Sequence, residues 1–136
     1  MIQTNLTSVF YCTQEAIKNM ISRKEGLIIN ISSIWGVTGS SCEVHYSVAK
    51  AGIDGMTKAL AKEVGPSNIR VNSIAPGIID TDMNKAYTDE EIKDIIEDIP
   101  LNKIGKKVDI ARCVEWLIED EYTTGQVISI NGGWLI

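Results

Sequence analysis

The sequence has few cysteines, a shortage of positive charge and no long apolar run, and each shortage excludes something. Cys12, Cys42 and Cys113 are odd in number and far apart, so they offer neither a zinc spacing nor a disulfide framework. Reduced thiols and no bound metal are the expectation. Thirteen basic residues against eighteen acidic ones leave a net charge of -5. That balance supplies no basic stripe, so neither nucleic acid nor an anionic membrane surface is expected as a partner. No apolar run is long enough for a transmembrane helix. The first residues lack the basic start and apolar core of a secretory signal, and a cytoplasmic location is expected. There is no repeat, linker or low-complexity segment. The 136 residues suit one domain with a real core.

What is present alternates between two hydrophobic periods. Leu6, Val9, Phe10, Thr13, Ile17, Met20 and Ile21 are spaced three and four apart, which predicts an amphipathic helix over residues 2–22, with Asn5 in its first turns. Gly26 after Arg23-Lys24-Glu25 reads as its stop. Leu27 to Ile31 is a near-continuous apolar run of the kind buried on both faces of a parallel sheet. A helix from about Ser41 to Val64 follows, with Ser40 and Glu43 at capping-box spacing and Gly65-Pro66 as its end. Its expected buried side holds Tyr46, Lys50, Ile53, Leu60 and Val64, with Met56 at the border. Ile69 to Ala75 reads as a second strand ending at Pro76-Gly77. Thr88 and Glu91 form another capping-box pair before a helix through Ile95 and Ile96. A last helix, Val108 to Ile118, carries the stripe Ile110, Val114, Leu117 and Ile118. Gln126 to Ile130 is a third strand, closed by Gly132-Gly133.

Strands alternating with helices imply an α/β domain with a parallel sheet, whose site lies at the carboxyl ends of the strands. That rule selects Ser33, the Pro76-Gly77 loop and the surroundings of Asn131. Tyr46 and Lys50 lie four apart on one helical face beside it. A phenol with an ammonium alongside is a proton donor whose pKa is drawn toward neutrality. His45 falls on an adjacent face, as a structural or substrate-rim residue. Cys42 reads as a small buried residue or a pocket wall. Gly36 and Gly39 suggest a flexible active-site loop and not a phosphate cradle, since no strand–loop–helix glycine pattern surrounds them. Gly52, Gly55 and Ala59 form a small-residue stripe, which either admits a second copy of the chain or clears a neighbouring helix of the same one.

With these motifs in place, the chain resembles the short-chain dehydrogenase/reductase family. The resemblance rests on Tyr46-x-x-x-Lys50, Ser33 upstream of the tyrosine, and Asn30-Ile-Ser-Ser33 at a strand end. It rests also on Val71-Asn72-Ser73-Ile74-Ala75-Pro76-Gly77, Asp80-Thr81, and Thr124-Gly125-Gln126 with Asn131-Gly132-Gly133. Asn5, in Thr4-Asn5-Leu6, matches the family's helix asparagine. The resemblance implies a catalytic set of Asn5, Ser33, Tyr46 and Lys50, with Tyr46 as general acid and Ser33 on the substrate oxygen. It implies NADP or NAD as cofactor, held by Tyr46, Lys50, Pro76, Gly77, Ile79 and Thr81.

It also implies a gap. The family's glycine-rich dinucleotide loop has no counterpart here, so residues 1–136 are expected to form the C-terminal, catalytic half of a Rossmann-type sheet. The chain alone is accordingly expected to be inactive, and Leu27 to Ile31 to expose an apolar edge. Within the family the sequence resembles the 3-oxoacyl-[acyl-carrier-protein] reductases of fatty acid biosynthesis, which use NADPH. The run Ser32-Ser33-Ile34-Trp35-Gly36 with Ser41-Cys42-Glu43-Val44 also resembles elongation factor P 5-aminopentanone reductases, which act on a modified protein lysine. The acidic segment from Asp80 to Leu101 suits a basic partner better than an acidic carrier. A homo-oligomer is expected for the full-length form. A non-catalytic interaction half-domain is the reading from another class.

Overall fold

The structure, a computed structural model, describes residues 1–136. A π-helical turn at Gln3–Thr7 runs into helix α1 (Ser8–Arg23). Strand β1 (Gly26–Ile31), a short helix α2 (Ile34–Thr38) and the long helix α3 (Val44–Val64) follow. Strand β2 (Ile69–Pro76), helices α4 (Asp89–Asp98) and α5 (Lys107–Glu119), and strand β3 (Val127–Ile130) complete the chain. The sheet runs β1-β2-β3 with both pairs parallel, Gly26 opposite Ile69 and Ser73 opposite Val127. The expected three-stranded α/β arrangement is borne out.

Strand β2 is central, and its alternation sorts the core. Ile69 and Val71 face α3, where they pack with Ala61 and Val64. Ile74 faces the other way, against Cys113 and Leu117 of α5. Asn72 is fully buried on that second face with both ends of its amide hydrogen-bonded. It donates to the Thr123 carbonyl at 2.8 Å and accepts from the Gln126 N–H at 3.1 Å, tying β2 to the turn that feeds β3. The expected α5 stripe loses Ile118, which is 61% exposed. Cys113 takes its place: the line Ile110, Cys113, Val114, Leu117 already closes the contact, and one further step of rotation carries Ile118 past the sheet.

Several local expectations change. Strand β1 is an edge strand with a ladder on one side only, so Asn30 alone is buried and Ile31 is 46% exposed. Helix α1 rests on β1 and α3 along a narrow line, which leaves Phe10 and Ile21 outside. Its stop is Lys24, in the left-handed conformation (φ 53°), and not Gly26. Gly26 serves instead for close approach, since a Cβ there would come within 2.6 Å of the Met20 sulfur. Helix α3 starts at Val44, and the Ser40–Glu43 capping box does not form. Cys42 turns left-handed (φ 64°), and the Ser40 N–H goes to Ser47 Oγ at 3.1 Å. By contrast the Thr88–Glu91 box closes in both directions, at 2.7 and 3.2 Å.

Candidate active site

Beyond Ile31 the chain keeps one more bond to the sheet, Ser32 N–H to the Ile74 carbonyl at 2.7 Å, and then reaches Ser33. Ser33 is buried and extended, and caps α2 by accepting the Trp35 N–H on its Oγ at 3.2 Å. Gly36 lies inside α2 and not in a flexible loop. A Cβ on it would sit 2.8 Å from the Lys50 carbonyl carbon and 2.8 Å from Ser32 Oγ, so its bareness lets α2 press onto α3. Gly39 does occupy a left-handed turn, at φ 75°.

That contact fixes the first turns of α3, where Tyr46 and Lys50 are both half-buried. Lys50 Nζ donates to the Ile31 carbonyl at 2.8 Å and stands 5.5 Å from the centre of the Tyr46 ring, within cation–π range. Burial pushes the Lys50 ammonium below the ordinary lysine value, and attraction to the Asp54 carboxylate partly opposes it. Asn5 lies half-buried in the π-helical turn that packs on α3, where Leu6 fits against Gly52. Single π turns often mark functional positions because they re-aim one side chain.

The second wall comes from β2. Pro76 ends the strand, and the Gly77 N–H bonds the Ile130 carbonyl at 2.9 Å while its bare face meets Asn131. Ile79 bridges Gly105, and its carbonyl accepts from Asn84 Nδ2 at 2.6 Å. The Ile79 N–H takes no partner within the chain. Thr81 caps the following turn through its backbone only, so its hydroxyl stays unspent. Ser33, Tyr46 and Lys50 are thus brought together at the end of β1, and Pro76, Gly77, Ile79 and Thr81 follow the end of β2. His45 and Cys42 are exposed, and Cys42 is not the buried residue that was one of its two readings.

Sequence reasoning missed two features. Asp54 and Thr57 interrupt the apolar side of α3: Thr57 Oγ1 accepts from Asn30 Nδ2 and Asp54 Oδ1 from Ser73 Oγ, both at 2.9 Å. Their spacing of four and seven from Lys50 was the available signal. Trp134, in the C-terminal tail, meets Trp35 edge-on, with ring centres 5.4 Å apart at 68°. Nothing in the spacing announced that pair.

A family model described as enoyl-(acyl carrier protein) reductase matches residues 1–135. The chain belongs to the short-chain dehydrogenase/reductase family. A 3-oxoacyl-[acyl-carrier-protein] reductase of Chlamydia trachomatis is 47% identical over 98% of this chain and 54% of its own length. The uncharacterized oxidoreductase YmfI of Bacillus subtilis is 43% identical over 98% of this chain and 56% of its own. Among solved structures, a 4-hydroxyisoleucine dehydrogenase mutant complexed with NADH and succinate superposes with a TM-score of 0.92 at 35% identity, covering 98% of this chain and 57% of that one. The short-chain dehydrogenase/reductase segment described here therefore spans about half the length of the curated relatives it matches. No helix in it is long and apolar enough to cross a membrane.

Proposed function

We propose that the chain carries the proton-transfer half of a nicotinamide-dependent ketone reductase acting on 3-oxoacyl thioesters presented by acyl carrier protein. The supporting observation is the convergence of Ser33, Tyr46 and Lys50 at the end of β1, with Lys50 Nζ on the Ile31 carbonyl and 5.5 Å from the Tyr46 ring. Ser33 Oγ accepts from Trp35, which leaves its O–H to donate to the substrate oxygen. Tyr46 gives its proton to that same oxygen as charge develops on it. The Lys50 ammonium stabilises the phenolate left behind, and Asn5 supports a water that connects Lys50 to solvent.

NADP or NAD, when bound, supplies the hydride that no side chain can. The residues present suit it. Lys50 and Tyr46 would hold its ribose, and Pro76-Gly77 carries the chain clear of the strand end. The unpaired Ile79 N–H and the unspent Thr81 hydroxyl are suited to a carboxamide.

The test joins this chain to the N-terminal portion of the Chlamydia trachomatis relative and follows NADPH oxidation with an acetoacetyl thioester. Turnover is expected, with a loss of at least about 100-fold on Tyr46→Phe. A chimera that keeps most of its activity with phenylalanine there removes Tyr46 from the role.

A second reading has one observation in its favour. Residues 80–101 carry eight acids and two lysines, on and around α4, in the segment that follows the Pro76-Gly77 loop. That charge suits a ketone on a modified lysine of elongation factor P better than an acidic carrier. Comparing the two substrates in the same chimera decides between them.

The reading includes a homo-oligomer formed through α3. Gly52 clears Leu6 of its own chain, but Gly55 has nothing within 4 Å, and a groove of about 510 Å³ runs beside it between α1 and α3. Phe10, Tyr11, Met56 and Leu60 line that groove. Light scattering that finds only monomers of the folded chimera would reject this part.

A further inference from the structure

Asp54 is the only charged residue among the buried positions of the chain, 5% exposed between α3 and the sheet. Ser73 Oγ holds its Oδ1 at 2.9 Å, and its Oδ2 is enclosed with no hydrogen-bond partner. A buried carboxylate with one oxygen bare is unfavourable by a large margin unless a charge nearby compensates it. One turn earlier on the same helix stands Lys50, whose Nζ is spent on the Ile31 carbonyl, so the two do not form a direct ion pair. Burial disfavours that ammonium, and attraction to the Asp54 carboxylate opposes the effect.

Tyr46, whose ring centre stands 5.5 Å from Lys50 Nζ, is the other titratable group beside it, and the rest of the neighbourhood is electrically quiet. The titratable residues His45, Lys58, Lys62 and Glu63 of α3 are exposed. Strand β1, helix α2 and the π-helical turn contribute no titratable side chain. Arg70 of β2 points the other way, onto the Leu117 carbonyl at 2.8 Å. The titratable residues of α1 (Tyr11, Cys12, Glu15, Lys18 and Arg23) are all exposed.

We propose that Asp54 is a positioning residue for this site: its buried carboxylate is the counter-charge that keeps the Lys50 ammonium charged and seated at the end of β1. Ser73 fixes the carboxylate, and the exclusion of water between α3 and the sheet, where Thr57 and Ser73 are fully buried, lets the two charges act across one helical turn. The inference rests on the proposed role of Lys50 in proton transfer.

The test reads Lys50 directly in the 136-residue chain, by following its ¹³Cε and ¹⁵Nζ resonances through a pH titration. In Asp54→Asn the midpoint is expected to fall by about one unit, a tenfold loss of proton affinity. An unchanged midpoint in a folded Asp54→Asn chain overturns the proposal, since a purely structural aspartate would leave Lys50 indifferent. Should that variant not fold, the wild-type chain answers by itself. The Asp54 carboxyl carbon should report an ionised group and shift as Lys50 loses its proton. A carboxyl that is protonated in that range, or that ignores Lys50, overturns it. Neither readout involves turnover. A chimera that reduces no ketone refutes the proposed function without touching this result, and a silent Lys50 titration refutes the role of Asp54 while leaving the reductase reading intact.

Discussion

Gly36 and Lys50 are in backbone contact: the bare Cα face of the glycine lies against the lysine's carbonyl carbon, leaving no room for a Cβ. The short helix behind Ser33 and the helix that carries Tyr46 therefore share a surface of fixed depth. Gly36→Ala is expected to destabilise the chain by ~1–3 kcal/mol, because both neighbours are held by secondary structure. Urea unfolding checks it, and in the chimera turnover should fall more than stability alone requires.

A second expectation concerns pH. The Lys50 ammonium is disfavoured in the folded chain, so the folded state binds that proton less tightly than the unfolded state, whose value is 10.5. Where the unfolded chain holds more protons, stability rises with pH. The contribution is therefore unfavourable at neutral pH and fades as pH climbs toward 10.5. Compared with Lys50→Met, the wild-type chain should gain stability as pH rises toward 10.5. A wild type that loses ground over that range contradicts the burial.

The thiols should divide into two classes. Cys12 and Cys42 are exposed, whereas Cys113 is buried against Ile74 and Leu117, where burial pushes its thiol up. Ellman's reagent at neutral pH is expected to titrate Cys12 and Cys42 promptly in the folded chain, and Cys113 only after denaturation. Prompt labelling of all of them would show that the α5 side of the sheet is not closed.

Asn72 should be irreplaceable by a small apolar residue. Its amide serves the Thr123 carbonyl and the Gln126 N–H, both of which lose their partner in Asn72→Ala. The expected loss is ~1–3 kcal/mol in denaturant unfolding with an unchanged slope. A neutral result would mean that the turn before β3 finds other partners.

What was legible in the sequence was local. The three strands, the Tyr46–Lys50 spacing and the Thr88–Glu91 cap follow from patterns a few residues long, and the structure has them in place. The Ser40–Glu43 box uses the same pattern and fails, because the left-handed turn at Cys42 delays the helix and Ser47 claims the Ser40 N–H. Helix α2 was hidden because Gly36 reads as a breaker until the backbone it must clear is known. Asp54 was hidden for a related reason. An aspartate in a helix ordinarily faces solvent, and only the position of Ser73, on a strand formed later in the chain, reveals that this one does not. Ile31 looked like a doubly covered residue because an apolar run carries no record of how many neighbours its strand has.

The edge-on pairing of Trp35 and Trp134 joins the segment beside Ser33 to the last residues of the chain. Two indoles held at that angle couple their transitions, so the near-ultraviolet dichroism of this protein should contain a paired signal that neither ring produces alone. Trp116, on the outside of α5, lies apart from it. The chain thus carries its own optical gauge of whether its C-terminal tail has met the segment after β1, readable during refolding without any label.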